Sequence, residues 1–440
     1  MSYSGQLEGG EQAARFRGAQ WRVLLATMLC YLFYYTGRQT FGFAIPGIES
    51  ELGISKTQLG WISTALLWTY ALGQAINGNL GDHFGGRVMM SAGAIVSCAL
   101  NWLLSFAQSF SGLFVAWGLN GYAQSMGWAP GSRVVSNWWG HAERGRVYGA
   151  YVFSAGMSSV LAFGTSSLIL SLELDWRWIF RLPVLLMLVG GVAYFFLVRD
   201  RPEEEGFPPL EEEPQVAPPS RGGVDDDEPD SVPFGSPHLP GDEEGILGRY
   251  QAVMSNRRFL LASIAIGFQS TARYGLLIWV PVHLLGADWK QDVYGKWVSL
   301  ALPLGMAAGA LASGWLSDRV FGGNRSRLIS LSMALAGVMA MTMYSLAGDL
   351  LLSIPLLFLC GLFAYGPQSA LWALCPDLLG HRRAGTGTGI MDAFAYVFAG
   401  LGEPLIGWII ETNGDRTELV FVVVAASCFL SAILAIGIRR

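Results

Sequence analysis

Two arginines stand where a charge is costly. Arg38 lies inside the apolar stretch Tyr31-Leu-Phe-Tyr34-Tyr35-Thr-Gly-Arg38-Gln-Thr-Phe-Gly-Phe-Ala-Ile-Pro46, and Arg273 opens the apolar stretch Arg273-Tyr-Gly-Leu-Leu-Ile-Trp-Val-Pro281. The same interval of 235 residues separates the two arginines and the two prolines. A guanidinium inside a bilayer costs about 2.5–3.5 kcal/mol even on the mild insertion scales. Snorkelling fits Arg38 poorly: at about 1.5 Å per residue it lies about 25 Å from one end of its segment and about 12 Å from the other. The chemistry on offer is a paired cationic site that binds an anion.

The elements that must hold such a pair are membrane helices. The chain is 52% hydrophobic and 14% charged, against about 25% charged in soluble domains. Its apolar residues come in runs of about 20, the length that crosses a bilayer as a helix. Twelve spans are expected, roughly 21–46, 57–79, 87–108, 111–135, 146–170 and 178–198, then 259–285, 294–316, 327–347, 350–374, 384–410 and 418–438. A polar tail, 1–20, precedes them with no signal peptide, so the first helix is expected to stay uncleaved. Between the two sixes, 199–256 is rich in Pro, Glu and Asp and is read as a disordered acidic linker. This divides the chain into a tail (1–20), a first half (21–198), a linker (199–256) and a second half (257–440). The net charge of −5 comes largely from the linker. The five cysteines, Cys30, Cys98, Cys360, Cys375 and Cys428, lack metal-ligand spacing and read as buried thiols. No catalytic triad or phosphate-cradling loop is apparent, so neither an enzyme nor a cofactor or metal site is expected.

Lysines and arginines set the orientation. Arg15, Arg17, Arg22, Arg87, Arg144, Arg146, Arg199 and Arg201, and later Arg319, Arg325, Arg327, Arg382 and Arg383, fall on one side if the spans alternate. Lys56, Arg177, Lys290, Lys296 and Arg416 fall on the other. Both termini and the linker are therefore expected in the cytoplasm, in a bacterial inner membrane. The halves also repeat. Gly78-Asn-Leu-Gly-Asp82-His-Phe-Gly-Gly-Arg87 follows the second span and Gly314-Trp-Leu-Ser-Asp318-Arg319 the eighth. Gly127-Trp-Ala-Pro130 corresponds to Tyr365-Gly-Pro367 at nearly the same offset. The expected fold is all-α, twelve transmembrane helices in two pseudo-symmetric six-helix halves, with a site near the midplane between them.

The segment Gly78–Arg87 resembles the loop signature of the major facilitator superfamily and occurs in the matching loop of both halves. Within it the chain looks like the organophosphate:phosphate antiporters, which include glycerol-3-phosphate, hexose-phosphate and glucose-6-phosphate carriers. The likeness rests on Tyr35-Thr-Gly-Arg38, Phe41, Pro46, Gln124-Ser-Met-Gly-Trp128-Ala-Pro130-Gly, Trp138-Trp139 with Glu143-Arg-Gly, Arg273-Tyr-Gly, Tyr365-Gly-Pro367 and Ala384-Gly-Thr-Gly-Thr-Gly. These cover nearly the whole chain outside the tail and linker.

The resemblance implies that Arg38 and Arg273 bind phosphate, and that Tyr31, Tyr35, Tyr70, Trp128, Tyr365 and Tyr396 line the cavity. Two guanidiniums match a phosphate monoester in charge and in fork geometry. For each aromatic residue, helix packing or an interfacial belt is an equal alternative. Asp82, Arg87 and Asp318 are expected to latch the cytoplasmic gate, with a plain solvated loop as the alternative. The glycerol-phosphate exchangers have a lysine at the place of Gln74 and a histidine near Ala155; this chain has neither. Asp392 and Glu403 are intramembrane acids, candidates for coupling or site duty, with helix packing as the other reading. The expected function is exchange of a sugar phosphate or glycerol phosphate for inorganic phosphate by alternating access. A proton-coupled organic-anion transporter and a transport-poor sugar-phosphate sensor remain open. The partners expected are those small molecules and the lipid bilayer, without nucleic acid, and the carrier is expected to be monomeric.

Overall fold

A computed structural model describes residues 10–208, 246–286, 295–319, 324–346, 350–380 and 383–438. The first half contains α1 (Gly10–Tyr34), α2 (Phe41–Leu52), α3 (Lys56–Phe84), α4 (Gly86–Leu104), α5 (Phe110–Gln124), α6 (Trp128–Trp138), α7 (His141–Ser171), α8 (Trp178–Arg181) and α9 (Pro183–Leu197). Then come α10 (Ile246–Ser255), α11 (Arg257–Leu284), α12 (Gly295–Val298), α13 (Ala301–Arg319), α14 (Arg325–Ser345), α15 (Leu350–Tyr365), α16 (Gln368–Leu379), α17 (Ala384–Thr412) and α18 (Leu419–Gly437). No strand occurs among the described residues.

Grouped by the expected spans, these helices make twelve. Seven of the described segments are long and apolar enough to cross a membrane unaided. The others are broken or more polar, and they include those that carry Arg38 (α1 and α2), Tyr70 (α3), Trp128 (α5 and α6) and Arg273 (α11). The fourth and tenth spans break at matched places, α5 to α6 at Ser125–Gly127 and α15 to α16 at Gly366–Pro367. There the repeated Gly/Pro landmarks interrupt the helical hydrogen bonding.

Contacts that join the halves include α3 with α17, α7 with α13, α2 with α11, and α7 with the short α12. The first two exchange under the repeat, because the second span maps to the eighth and the fifth to the eleventh. The α3–α17 contact is tightest at the end where α3 begins and α17 finishes, here called the far end. A capping box of Ser55 and Gln58 fixes the start of α3. Lys56 then forms ion pairs with Glu49 of its own half and Asp415 of the other. Glu411 Oε2 accepts from Thr57 Oγ1 at 2.6 Å, and Gly400 O accepts from Thr64 Oγ1 at 2.5 Å. The backbones nearly touch: a Cβ on Gly407 would stand 2.3 Å from the Lys56 carbonyl oxygen, and one on Gly42 2.3 Å from that of Ile278. At the opposite end, where α1 begins and α18 finishes, Gly149 and Gly389 face open space. The bundle is thus closed at the far end.

Order extends further than the sequence reading of 199–256 implies. Pro202–Glu205 forms a short helical turn, Arg22 pairs with Glu205, and Phe207 packs edge-on against Phe16 at 5.2 Å. At the other end of that segment α10 packs on α11 and α17. The acidic centre, 209–245, lies outside the described residues. All five cysteines are buried and unbridged, as expected.

Because the far end seals through glycine, a side chain there holds it open. In Gly407→Leu, a thiol introduced just inside the joint by Ser63→Cys becomes labelled by a membrane-impermeant maleimide about tenfold faster than in the Gly407 background, the effect of about 1.4 kcal/mol between two states. The native thiols are buried, so the introduced thiol supplies the signal. Equal labelling rates count against a glycine-sealed joint.

Candidate functional site

The site begins at a helix break. α1 ends at Tyr34, Tyr35–Gly37 forms a tight turn, and the chain restarts at Phe41. A break inside a membrane strands carbonyl groups that need donors. Gly37 O receives Asn120 Nδ2 at 2.7 Å and Asn101 Nδ2 at 3.2 Å. Asn120 Oδ1 accepts from Ser97 Oγ at 2.5 Å, and Ser97 Oγ from Gln124 Nε2 at 2.7 Å. The spacing is close, since a Cβ on Gly37 would lie 2.6 Å from Gln124 Nε2. Arg38 is the residue that this buried amide network presents to the interface of the halves. Arg273 has no such break: it sits within the continuous α11.

Both guanidiniums are cushioned by tyrosines. The Arg38 guanidinium carbon lies 4.0 Å from the Tyr35 ring centre and 4.9 Å from that of Tyr70. Its Nη2 reaches Tyr31 Oη only at 3.5 Å. The Arg273 guanidinium lies 4.5 Å from the Tyr365 ring and 5.1 Å from that of Tyr274, and Nη1 donates to Gln368 Oε1 at 3.2 Å. The Nε of each arginine is buried without a hydrogen-bond partner. No carboxylate among the described residues pairs with either. Cation–π contacts return about 0.5–2 kcal/mol each, while burying an ion costs several kcal/mol. The tyrosines therefore leave both charges short of a counter-charge.

The two arginines share one cavity of about 300 Å³, which runs from them past Gln74 and Asp392, toward the end where the chain begins and finishes. Tyr31, Tyr35, Tyr70, Trp128, Tyr365 and Tyr396 all line it, so the structure brings together every aromatic candidate. Trp128 stacks on Tyr151 at 4.8 Å, and Tyr70 meets Tyr396 at 5.1 Å across the halves. Gln74 and Ala155, the two departures from the glycerol-phosphate pattern, are also wall residues. Tyr274, Gln368, Ser369 and Trp372 are wall residues that the sequence reading did not single out.

The acids separate. Asp392 lines the cavity. Glu403 does not: it is fully buried in the far-end joint, where Oε2 accepts from Trp279 Nε1 at 2.8 Å and Oε1 has no donor. Of the expected gating residues, Arg87 is turned to the end of α9, donating from Nε to Phe195 O at 2.6 Å, while its backbone N–H binds Asp200 Oδ1 at 2.8 Å. The side chains of Asp82 and Asp318 lie outside the described ones. Among the described residues, no group of His, Cys, Asp and Glu could hold a metal.

The family model described as Major Facilitator Superfamily matches residues 27–402. The chain is 26% identical to the "Probable hexose phosphate transport protein" of Chlamydia pneumoniae, over 93% of this chain and 89% of that one. It is 26% identical to the glycerol-3-phosphate transporter of Bacillus subtilis, over 97% and 94%. It is equally 26% identical to the membrane sensor protein UhpC of Escherichia coli, over 96% and 92%. Its fold matches a bacterial homolog of the human lysosomal transporter Spinster, crystallised inward-facing and unoccupied. The TM-score is 0.69 over 96% of this chain and 98% of that one, at 14% identity.

The amide network is expected to govern the placement of Arg38. Asn120→Leu removes a donor from Gly37 O and strands the Ser97 hydroxyl donor, a cost of about 1–3 kcal/mol per unsatisfied group. Its thermal midpoint in detergent falls, and its affinity for anions falls with it. Asn413→Ala, on the exposed rim, leaves both unchanged. An Asn120→Leu protein with wild-type anion affinity would show that the network does not position Arg38.

Proposed function

The chain belongs to the Major Facilitator Superfamily, and we propose that it exchanges a phosphate monoester of a small polyol or sugar for inorganic phosphate. The observation that carries this reading is the pair Arg38 and Arg273, half-buried and buried respectively, which line one cavity with no carboxylate among the described residues paired to them. Two planar forks offer a phosphate group bidentate, charge-assisted hydrogen bonds that lysine cannot reproduce. The similarity to carriers named for hexose phosphate and glycerol-3-phosphate supports the same substrate class.

The mechanism follows from charge. Closing the cavity over two bare guanidiniums forces like charges together in a low dielectric. A bound phosphate makes closure favourable, so the carrier changes face only when loaded, and net movement of one anion requires return of another. The far end is closed and the other end open, the arrangement of an inward-facing carrier if the Lys/Arg bias places both termini in the cytoplasm. One chain carries both arginines, so a monomer suffices. The sensor reading, supported by the likeness to UhpC, predicts the same binding with negligible flux.

The test is uptake of labelled phosphate into proteoliposomes preloaded with phosphate. Saturable counterflow is expected, insensitive to an uncoupler, with Arg38→Lys and Arg273→Lys each slower by about 10–100-fold, the loss of charge-assisted hydrogen bonds worth about 1.5–3 kcal/mol. Uptake into empty vesicles at the same rate, or collapse by the uncoupler, overturns obligatory exchange. Tight binding without counterflow would assign the protein to sensing.

A further inference from the structure

The α3–α17 register carries information about the rest of the substrate. These helices pack antiparallel, and their contacts pair Lys56 with Gly407, Gly60 with Pro404, Thr64 with Gly400 and Tyr70 with Tyr396. Continued by one turn, about 6 Å, the register sets Gln74 opposite Asp392. Both line the cavity, on the side of Tyr70 and Tyr396 that leads to the open mouth. A phosphate held by Arg38 and Arg273 therefore points its organic part at this pair.

The pair is not charge-neutral. Gln74 is uncharged, and its Nε2 donates back to Tyr70 Oη at 2.9 Å. Asp392 has no hydrogen bond or ion pair among the described residues. The next turn of α17 toward the far end presents Ala395 and Tyr396 to the cavity, with no cation. Charge can then be counted for the closed site. Two arginines balance a phosphate dianion, and the Asp392 carboxylate is left over. A buried, uncompensated carboxylate is strongly unfavourable, so the substrate must bring a positive charge or a proton.

Resting on the phosphate-exchange reading above, we propose that the organic substrate is an amino-substituted phosphate monoester, whose ammonium group is received by Asp392 while Arg38 and Arg273 hold the phosphate. Such a zwitterion carries one net negative charge when its phosphate is doubly ionised. Inorganic phosphate as the monoanion carries the same net charge, so the two are exchanged one for one with no charge moved. An uncharged hydroxyl in place of the ammonium leaves the closed site one negative charge in excess. Trp128 and Trp372 also line the cavity, and closure over these rings would lower the dielectric around the contact and enlarge the difference.

The experiment uses two esters alike in length, 2-aminoethyl phosphate and 2-hydroxyethyl phosphate. Each competes with labelled phosphate for exchange by the whole protein in proteoliposomes at pH 7.5, where monoester phosphates are largely dianionic. The aminoethyl ester is expected to inhibit at a concentration about tenfold or more below that of its hydroxyl twin, the scale of a hydrogen-bonded charge pair. In Asp392→Asn that ratio falls to about one or inverts. Tryptophan quenching by the two esters in detergent gives the same ratio without requiring Asp392→Asn to turn over. A ratio near one in the wild type, or one that Asp392→Asn leaves intact, overturns the proposal while phosphate exchange stands. A ratio near one, together with an exchange rate whose pH dependence Asp392→Asn abolishes, assigns the carboxylate to a proton instead. If the wild type neither exchanges nor binds phosphate, the parent reading falls and this one with it.

Discussion

The constraint on which the structure depends is that two guanidiniums face one low-dielectric cavity with no carboxylate among the described residues paired to them. Aromatic faces and single hydrogen bonds cushion each charge, and neither neutralises it. An ion pair inside the protein would have stabilised the empty site and removed the reason to bind an anion. The bare pair does the opposite. In the proposed exchange cycle it makes the closed, empty state costly and lets the anion supply what the fold withholds, so that binding free energy becomes a conformational change. The tyrosines suit this proposed role because their rings attract the cation without competing for the guanidinium edge that a phosphate would occupy.

Holding the pair requires different devices in the two halves, although the halves are repeats. Arg38 follows a broken helix, so its backbone needs the Asn101–Asn120–Ser97–Gln124 network to satisfy Gly37 O. Arg273 rides on an unbroken α11, and only its side chain needs help, from Gln368 at the start of α16. The Gly37 that precedes Arg38 permits the close approach of Gln124; Ala272 precedes Arg273 in the second repeat. A duplicated sequence has thus kept the charge and its depth while changing the local backbone that delivers it.

The arginines, the repeat and the aromatic wall were legible because each is a local signal: a costly residue, a fixed offset, a short motif. The remainder depends on helix rotation and on which helix packs where, which spacing alone does not encode. Asn101, Asn120, Tyr274, Gln368 and Trp372 look like ordinary span residues until α4, α5, α11 and α16 are assembled. Asp392 and Glu403 show the limit best. They lie eleven residues apart on one helix, about three turns and so nearly one face. Sequence reasoning makes both candidates for coupling or site duty and separates them only by setting Glu403 nearer the outer end. They differ because α17 passes from the cavity into the far-end joint between those residues, leaving Asp392 in the wall and Glu403 beneath Trp279.

That passage also bears on the proposed change of face. At the far end α3 and α17 meet through glycine and a row of polar contacts, with backbone nearly against backbone. Beyond Tyr70 and Tyr396 the cavity lies between them. The repeat relates this joint to the one between α7 and α13, so opening one end of both joints closes the other, as rocking of two rigid halves requires. When the open end closes along the same register, Gln74 approaches Asp392. The space remaining beside the phosphate is then set by an amide on one helix and a carboxylate on the other. On the reading proposed above, the arginines decide that an anion is bound, and this second pair decides what the anion carries with it.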